Sequence, residues 1–581
     1  MLVAFDTETT GVNYWHGDRP FLVTFQFESG RQARFRTMVD PFTRKIVWSK
    51  QRLADMQRLF SDPDLHFVAH NLKFDRRMLE GIGLSLPSHI DDTFVAMHTL
   101  RSHERHGLKA VCKRYLSIDD DDEKELTRAT ISARRIAKKR NWQLAEDVAA
   151  DYWMAPREVC LKYALRDVER TLALWQNVSP LLDEEGCREV YDREMRLLRV
   201  TAELETRGMH IDLAVVDQMI ERYEKVVDSL TDKIETNTWV GFSCTKPNDI
   251  RKLVYEKLSV VPTVFTEKGL PCADKDVLRD IDHPTILDIR NWRAADSAIS
   301  KLTQYKELAV GGVLHPDFQQ NGPITGRYSC KMPNLQNVSK GIQEDERVIP
   351  VEAREPFGPR EGWLWIAFDY SQVEARLLAA LSHEPTLCEA FKEGRDVHKE
   401  MALRIWGDES KRTLAKQIVY ATIYGAGKEI IAKKFNISLA AASAAIRQFH
   451  KAAPRIRAYS RELQQELADN GYIRTLGGRR IYTDPARPYA VLDHKIQGTA
   501  ADQTKMAMLR VHTFLPSLPD THLISTVHDE LILETKHEFT PATYRKVMAL
   551  MSETWPEVTI PLDVDASIIR KSWAKKEKVK L

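Results

Sequence analysis

Three apolar runs end in acid. VAFDTET (3–9), WIAFDYS (365–371) and ISTVHDE (524–530) each read as a buried β-segment carrying a carboxylate at or near its end. An ionised carboxylate beside buried strands is costly unless it is paired or bound to a metal. The chain must therefore fold so that these strand ends meet one another or a cation. Asp6 and Glu8 are two apart, so on a strand both point to the same side. Asp369 and Asp529 lie 160 residues apart, and if their strands meet they build a second acidic centre.

Size and charge set limits on what can surround these acids. A chain of 581 residues predicts about two to four domains. The 43% hydrophobic content is ample for folded cores and excludes a disordered chain. With 85 Lys and Arg against 83 Asp and Glu, the formal charge is +2, which argues against a simple basic coat for nucleic acid. It leaves room for an enzyme whose basic groove is offset by acidic metal sites. The closest two of the seven cysteines are 27 residues apart, with no CxxC pair. A reduced, cytoplasmic compartment is therefore expected. The N-terminus MLVAFDTETTG has no signal-peptide pattern, and no run approaches the ~18 apolar residues of a membrane span, so no membrane partner is expected.

Along the chain, LVAF (2–5), FLVTFQF (21–27) and HFVAH (66–70) read as strands, with a hairpin turn at Gly30 and a helix over 51–60. Strands and helices alternate here, which predicts a mixed α/β domain. The pattern from about 105 to 178 is almost wholly helical. Within it, five acids at 119–123 precede seven Lys or Arg and a single Glu at 124–140. The plainer reading is a solvated helix face beside an acidic loop; the alternative is a basic arm on a nucleic-acid backbone. Long helices are predicted at 194–207, 213–238 and 285–308, with a turn at 208–212 and a Gly/Pro/Asn-rich stretch at 311–338. Residues 363–381 read as a strand entering a helix, 396–470 as helical, and 517–535 as a hairpin around His528 and Asp529.

The N-terminal acids recur in three motifs: DTE (6–8), NLKFD (71–75) and YALRD (163–167), with Tyr163 and Asp167 on one helix face. Four carboxylates and a tyrosine from strand ends and a helix suit two hard divalent cations. Residues 1 to about 178 resemble the DEDD-type 3′–5′ proofreading exonuclease domain of the tyrosine subclass. The resemblance implies Asp6, Glu8, Asp75 and Asp167 as metal ligands and Tyr163 as the residue that orients the attacking water.

Between Asp369 and Asp529 lies a cationic helix in which Arg412, Lys416, Tyr420 and Tyr424 recur every four residues. Each step advances only about 40° around a helix, so the four form one slowly drifting stripe. Two cations followed by two rings suit a nucleoside triphosphate lying along the helix. Residues from about 185 to 581 resemble the polymerase domain of family A DNA polymerases, on TGRYSCKMPNLQN (325–337), DYSQVEARLLAALS (369–382), R-x3-K-x7-YG (412–425), IQGTAAD (496–502) and VHDE (527–530).

That resemblance implies a ribonuclease H-like α/β exonuclease domain (1–180) followed by an α+β right-hand polymerase domain (181–581). Within the hand, the thumb is expected at about 213–310, the fingers at about 396–474, and the palm at about 185–212, 311–395 and 475–581. Asp369, Asp529 and the Tyr370 carbonyl are implied to hold two Mg2+ ions, with Mn2+ able to substitute, and Glu530 is implied as an accessory acid. Arg412, Lys416 and His398 are implied to contact phosphates, and Lys416 to donate a proton to pyrophosphate. Tyr424 and Gly425 are implied at the new base pair. Arg327, Gln497 and His528 are implied on the primer-template minor groove, where acceptors occur on every base pair. Glu374 matches the family's steric gate against a 2′-hydroxyl, and Tyr420 stands where some members have Phe. Asp493, four before Gln497, departs from the Asn that is common there and puts that contact in doubt.

The resemblance implies primer-template DNA, dNTPs and single-stranded 3′ ends as partners of a monomeric enzyme of replication or repair. Nothing precedes the exonuclease motifs, so a 5′-nuclease domain is expected to be missing, a compact layout like that of phage-type members. Three other readings compete: a nuclease with a DNA-binding clamp, a single-subunit RNA polymerase, and a non-catalytic DNA-binding scaffold. The complete acid and cation sets disfavour the first and third; Glu374 and the exonuclease motifs disfavour the second.

Overall fold

The computed structural model describes residues 1–119, 121–339, 341, 347–423, 427–435 and 437–581. The first 100 residues build a five-stranded sheet from β1 (Leu2–Thr9), β2 (Pro20–Phe27), β3 (Gln32–Arg36), β4 (His66–Ala69) and β5 (Asp91–Asp92), in the order β3-β2-β1-β4-β5. β1 to β3 form an antiparallel meander, while β4 and β5 run parallel to β1. Parallel neighbours need crossover segments. These are supplied by α1 (Lys50–Phe60) and α2 (Leu72–Glu80). Every residue of β2 is buried, as an apolar run covered on both faces requires. Phe5, Phe25, Phe60 and Phe67 interlock at the centre, with Phe5 edge-on to Phe60 at 5.4 Å.

Helices α3 (Thr93–Leu100), α4 (Leu108–Leu116), α5 (Asp121–Lys139), α6 (Arg157–Glu184) and α7 (Arg188–Arg207) follow. α6 lies over β1 and β2, and the Thr24 hydroxyl donates to the Ala164 carbonyl at 3.2 Å. α7 continues into a second unit. There the helices Leu213–Asn237 and Pro284–Leu308 pack side by side.

A second sheet is antiparallel throughout, in the order Thr521–Val527, Glu530–Thr535, Leu364–Tyr370, Val564–Ile569, Glu577–Lys578. The strand carrying Asp369 is thus central, and the hairpin carrying Asp529 is its neighbour. The helix Val491–Phe514 packs against this part of the core, with Ile496, Ala500, Ala507 and Val511 fully buried.

The first strand-like runs, the long helices and the 521–535 hairpin lie where the periodicity puts them. Residues 208–212 differ from the expected turn: Met209–His210 pairs as a short strand with Val313–Leu314. Gly208 makes this approach possible, because a Cβ there would sit 2.5 Å from the Leu314 carbonyl oxygen. The Gly/Pro/Asn-rich stretch likewise holds a ribbon of Asp317–Gln319 against Ser329–Lys331. Neither ribbon is long enough to show a period of two. Among the described residues no helix is long and apolar enough to cross a membrane.

Candidate functional site

The N-terminal acids meet. β1 presents Asp6 and Glu8 on one face, both half-buried. Asp75 sits in the first turn of α2 rather than directly after a strand, and it is 3% exposed. The Thr7 backbone N–H and hydroxyl donate to its carboxylate at 3.1 and 2.6 Å, tying α2 to β1. The start of α2 is itself held by Asp92, which accepts from the Asn71 and Leu72 N–H groups at 3.0 and 2.9 Å. Tyr163 and Asp167 reach the same place from α6, both buried.

Four carboxylates crowded away from water repel one another. Burial, followed by Asp75, Glu8 and Asp167, drives the Asp6 carboxyl well above the usual carboxylate range. Burial and Asp167 push Glu8 up to about 8. Burial pushes Asp75 up to about 7 although the Thr7 hydrogen bonds oppose it. Such a group is short of positive charge, and a hard divalent cation with oxygen ligands is what its donor set fits.

Two cations do reach it, and neither belongs to a motif. Lys109, on α4, donates to Asp167 Oδ2 at 2.6 Å and to the Tyr163 hydroxyl. Burial opposes its charge, but Asp167 more than compensates and its ammonium stays protonated beyond the usual lysine range. Arg170, 2% exposed, donates to Asp167 Oδ1 at 2.9 Å and to both oxygens of Asp122 at 2.7 and 2.5 Å. Asp122 comes from the acidic run, so that run is not simply a solvated loop: its fourth residue turns inward and anchors the arginine that holds Asp167. The i, i+3 spacing of Asp167 and Arg170 was the one signal in the sequence. The basic stretch that follows is the exposed face of α5, which buries Leu126, Thr130 and Ala137 on its other side.

The C-terminal acids also meet. Asp369 lies opposite Glu530 on one side and Asp565 on the other in the central strand of the second sheet. His528 and Asp529 form the tight turn of the neighbouring hairpin, with His528 at φ 57°. Glu530 is buried and pairs with Lys576. Glu374 opens the helix Val373–Ser382 and pairs with Arg327. Burial pushes Asp529 up to about 7; Arg327 opposes the shift, and Glu374 and Asp369 add to it. These four charged groups therefore share one site.

The helix Arg412–Ile423 reaches the same group. Burial, with Glu374 and Asp529 beside it, pushes the Tyr420 hydroxyl up to about 12. Lys416 is exposed, and Arg412 Nε donates to Asp396 at 2.6 Å. His398 lies 6.0 Å ring to ring from Tyr420 and is 1% exposed. Burial holds its pKa down to about 4, with Lys416 and Arg412 adding to the shift, so the ring is neutral and its phosphate contact would be an N–H rather than a charge. Tyr424 and Gly425 lie outside the described residues. Gln497 donates to Asp493 at 2.7 Å; burial and Glu374 push that carboxyl up to about 6. The residue that departs from the familiar Asn therefore orients Gln497. The Tyr370 N–H donates to the Asp529 carbonyl at 3.4 Å, and its hydroxyl to that of Met551 at 2.6 Å.

A buried charge cluster ties α7 to the C-terminal part of the chain. Glu194 of α7 pairs with Arg479 and, at 2.8 Å, with Lys505, while Arg479 also meets Asp502 at 2.9 Å.

Comparison with known proteins gives two family matches. A model described as DNA polymerase family A matches residues 213–575, and one described as 3′-5′ exonuclease matches residues 1–183. A DNA polymerase I from Chloroflexus aurantiacus is 27% identical over 543 residues, covering 88% of this chain and 55% of that protein. Its counterpart from Pseudomonas aeruginosa is 28% identical over 606 residues, covering 98% and 63%. A thermostable DNA polymerase I from Thermus filiformis is 29% identical over 419 residues, covering 68% and 50%. The chain thus spans between half and just under two thirds of the length of these relatives. Among solved structures, the POL domain of Pol1 from M. smegmatis in complex with DNA primer-template and dNTP has the same fold, with a TM-score of 0.81 at 22% identity over 98% of this chain and 95% of that one.

Proposed function

This chain belongs to DNA polymerase family A and carries a 3′–5′ exonuclease domain at its N-terminal end, and from that premise we propose that it is a template-directed DNA polymerase that proofreads its own product. The observation that carries the reading is the convergence on one site of Asp369, Asp529, Glu374, Arg327 and Tyr420, groups drawn from a strand, a hairpin turn, a loop and two helices. We place the exonuclease domain at 1–180 and the polymerase hand at 181–581, with the thumb at about 213–310, the fingers at about 396–474, and the palm in the remainder. Its partners are primer-template DNA, dNTPs and single-stranded 3′ ends, met by a cytoplasmic monomer.

Asp6, Glu8, Asp75 and Asp167 would hold the divalent ions of the exonuclease, and Asp369, Asp529 and the Tyr370 carbonyl those of the polymerase. When bound, two Mg2+ ions per site polarise phosphate oxygens and make a water or a primer hydroxyl nucleophilic. Mn2+ would serve in the same places.

In synthesis the primer 3′-oxygen bonds to the α-phosphorus of the incoming nucleotide and the bond to pyrophosphate breaks. Arg412 and Lys416 hold the triphosphate, His398 adds an N–H, and Lys416 gives its proton to the leaving pyrophosphate. By the family resemblance, Tyr424 and Gly425 would serve the templating base and the new pair. Arg327, Gln497 and His528 hold the primer-template by groove acceptors common to all pairs, with Glu530 as an accessory acid near the primer end. Glu374 fills the space of a 2′-hydroxyl. In proofreading, Tyr163 orients the attacking water, and Lys109 positions the Tyr163 hydroxyl.

Tyr420 sets a second preference. Its hydroxyl can replace the missing 3′-OH of a dideoxynucleotide, so the wild type should incorporate dideoxynucleotides readily. A hydrogen bond to a charged group is worth about 1.5–3 kcal/mol, so Tyr420→Phe should raise discrimination against them by about ten- to a hundredfold. The competitive deoxy-to-dideoxy incorporation ratio measures this, and an unchanged ratio would sink the assignment.

The raised carboxyl pKa values make metal binding depend on pH. Glu8, at about 8, and Asp75 and Asp529, at about 7, hold protons more tightly folded than unfolded, where 4.5 and 3.8 are ordinary. Their protonation favours the folded state, so their contribution to metal-free stability falls as pH rises through this window. A divalent ion replaces those protons. The Tm gain on replacing EDTA with Mg2+ should therefore grow from pH 5.5 to pH 8.5 and shrink in the Asp6→Asn, Asp529→Asn double variant. A gain that is the same at both pH values would contradict the assignment.

A further inference from the structure

We propose that His66, His89 and Asp91 form a zinc site at the β4–β5 edge of the N-terminal sheet, apart from both carboxylate centres. The inference depends on neither catalytic reading. Each of the three residues offers one ligand atom, and these atoms lie within 4.8 Å of one another. His66 lies opposite Leu2 of β1, four residues before Asp6. At about 3.3 Å per strand residue that is about 13 Å from the exonuclease acids.

The backbone brings the three together. β4 begins at His66, and Val68 lies opposite Asp91 in the parallel pair with β5. His66 and His89 each stand two residues before these partners. A strand repeats every two residues, so extending the register puts all three on one face. The two imidazole rings are 5.3 Å apart, centroid to centroid. His66 Nε2 is 2.6 Å from Asp91 Oδ2. Zinc bonds of about 2.0–2.2 Å put neighbouring ligand atoms of a tetrahedron about 3.4 Å apart. His66 and Asp91 must therefore part by about 0.8 Å. His89, exposed and on the loop between α2 and β5, swings in to complete the set.

The donor set selects the metal. Two imidazoles and one carboxylate suit zinc, whereas Mg2+ takes oxygen ligands. Asp91 is only 5% exposed, and its other oxygen is already held: the Tyr191 hydroxyl donates to Oδ1 at 2.7 Å. The same hydroxyl accepts from the Asp92 N–H at 3.0 Å. An outer partner of this kind leaves Oδ2 for the metal and fixes its direction. Asp192, next along α7, lies near His89 and Asp91 and adds negative charge. The His66 side chain is 44% exposed, which gives an entry path and room for water as the fourth ligand. β5 has only two residues, so an ion shared by β4 and the start of β5 pins a short edge strand. Asp92, the next residue, holds the start of α2 and hence the helix that carries Asp75. The site is thus a structural clamp on the edge that supports Asp75.

The test titrates Zn2+ into the metal-stripped chain in excess Mg2+, so that the difference between variants isolates this site from the carboxylate centres. Wild type should bind one more equivalent than His66→Ala/His89→Ala. With Co2+ in place of Zn2+, that equivalent should show the intense visible bands of a tetrahedral ion. Asp91→Asn should weaken it about a hundredfold and Tyr191→Phe about tenfold. His89→Cys keeps a zinc ligand and should retain it. His537→Ala, at an exposed histidine elsewhere, should change nothing. The metal-free Tm of each variant checks folding. Because His89 is exposed, His89→Ala reads the site even if a change at buried Asp91 unfolds the chain. Zn2+ should raise the Tm of wild type more than that of His89→Ala. Equal stoichiometry in wild type and the double variant, an octahedral Co2+ spectrum, or the same rise in Tm in both would each overturn the proposal. An equal loss of zinc from His537→Ala would mark adventitious surface binding and overturn it too.

Discussion

Replacing Asp529 with alanine should lower primer extension by at least about a thousandfold while leaving 3′ degradation intact. Asp529 sits in a tight turn at the end of a buried hairpin, beside Asp369, Glu374 and Arg327. Its carboxylate is one of the two side chains proposed to hold the ions of this site, and such ions contribute several kcal/mol of transition-state charge stabilisation. Losing about 4 kcal/mol is a factor of about a thousand in rate. The substitution is mild for the fold: Asp529 is only half-buried and makes its turn through the backbone. Single-turnover extension at saturating dNTP measures the effect, and Tm checks that the variant is folded.

The converse substitution acts on the other sheet. Asp6→Ala should abolish 3′ degradation by a similar factor and leave extension of a matched primer unchanged. Asp6 suffers from burial and from Asp75, Glu8 and Asp167, so removing it relieves repulsion in the metal-free protein. Asp6→Ala should therefore be at least as stable as wild type in EDTA although it cannot cut. A variant that is inactive because it is unfolded would show the opposite. The pairing of lost activity with retained or raised Tm separates a ligand from a structural residue.

Much of this was legible in the sequence, for identifiable reasons. Asp6 and Glu8 could be placed on one face because a strand repeats every two residues. Tyr163 with Asp167, and Arg412 with Lys416 and Tyr420, follow from helical spacing. Asp369 and Asp529 were visible because an acid ending an apolar strand needs a partner.

What escaped was set by contacts between distant elements. Lys109, in the unremarkable helix Leu108–Leu116, meets Asp167 across 58 residues. Asp122 reads as one acid among five until Arg170 draws it inward. Arg327 and Glu374 have separate expected duties, and only the fold shows that they pair. The short strands Met209–His210 and Val313–Leu314 are too brief for periodicity to register.

The central claim is that one chain both cuts and extends the same primer end, at two separate sites. Extension of a primer with a 3′-mismatch tests it most directly, because excision must precede synthesis. With all four dNTPs and Mg2+, wild type should remove the mismatch and run to full length. Asp6→Ala should stall on the mismatch yet extend a matched primer, Asp529→Ala should only shorten both, and a mixture of the two variants should restore full-length product. Full-length product from Asp529→Ala alone, or loss of the mismatch by Asp6→Ala alone, would contradict the account.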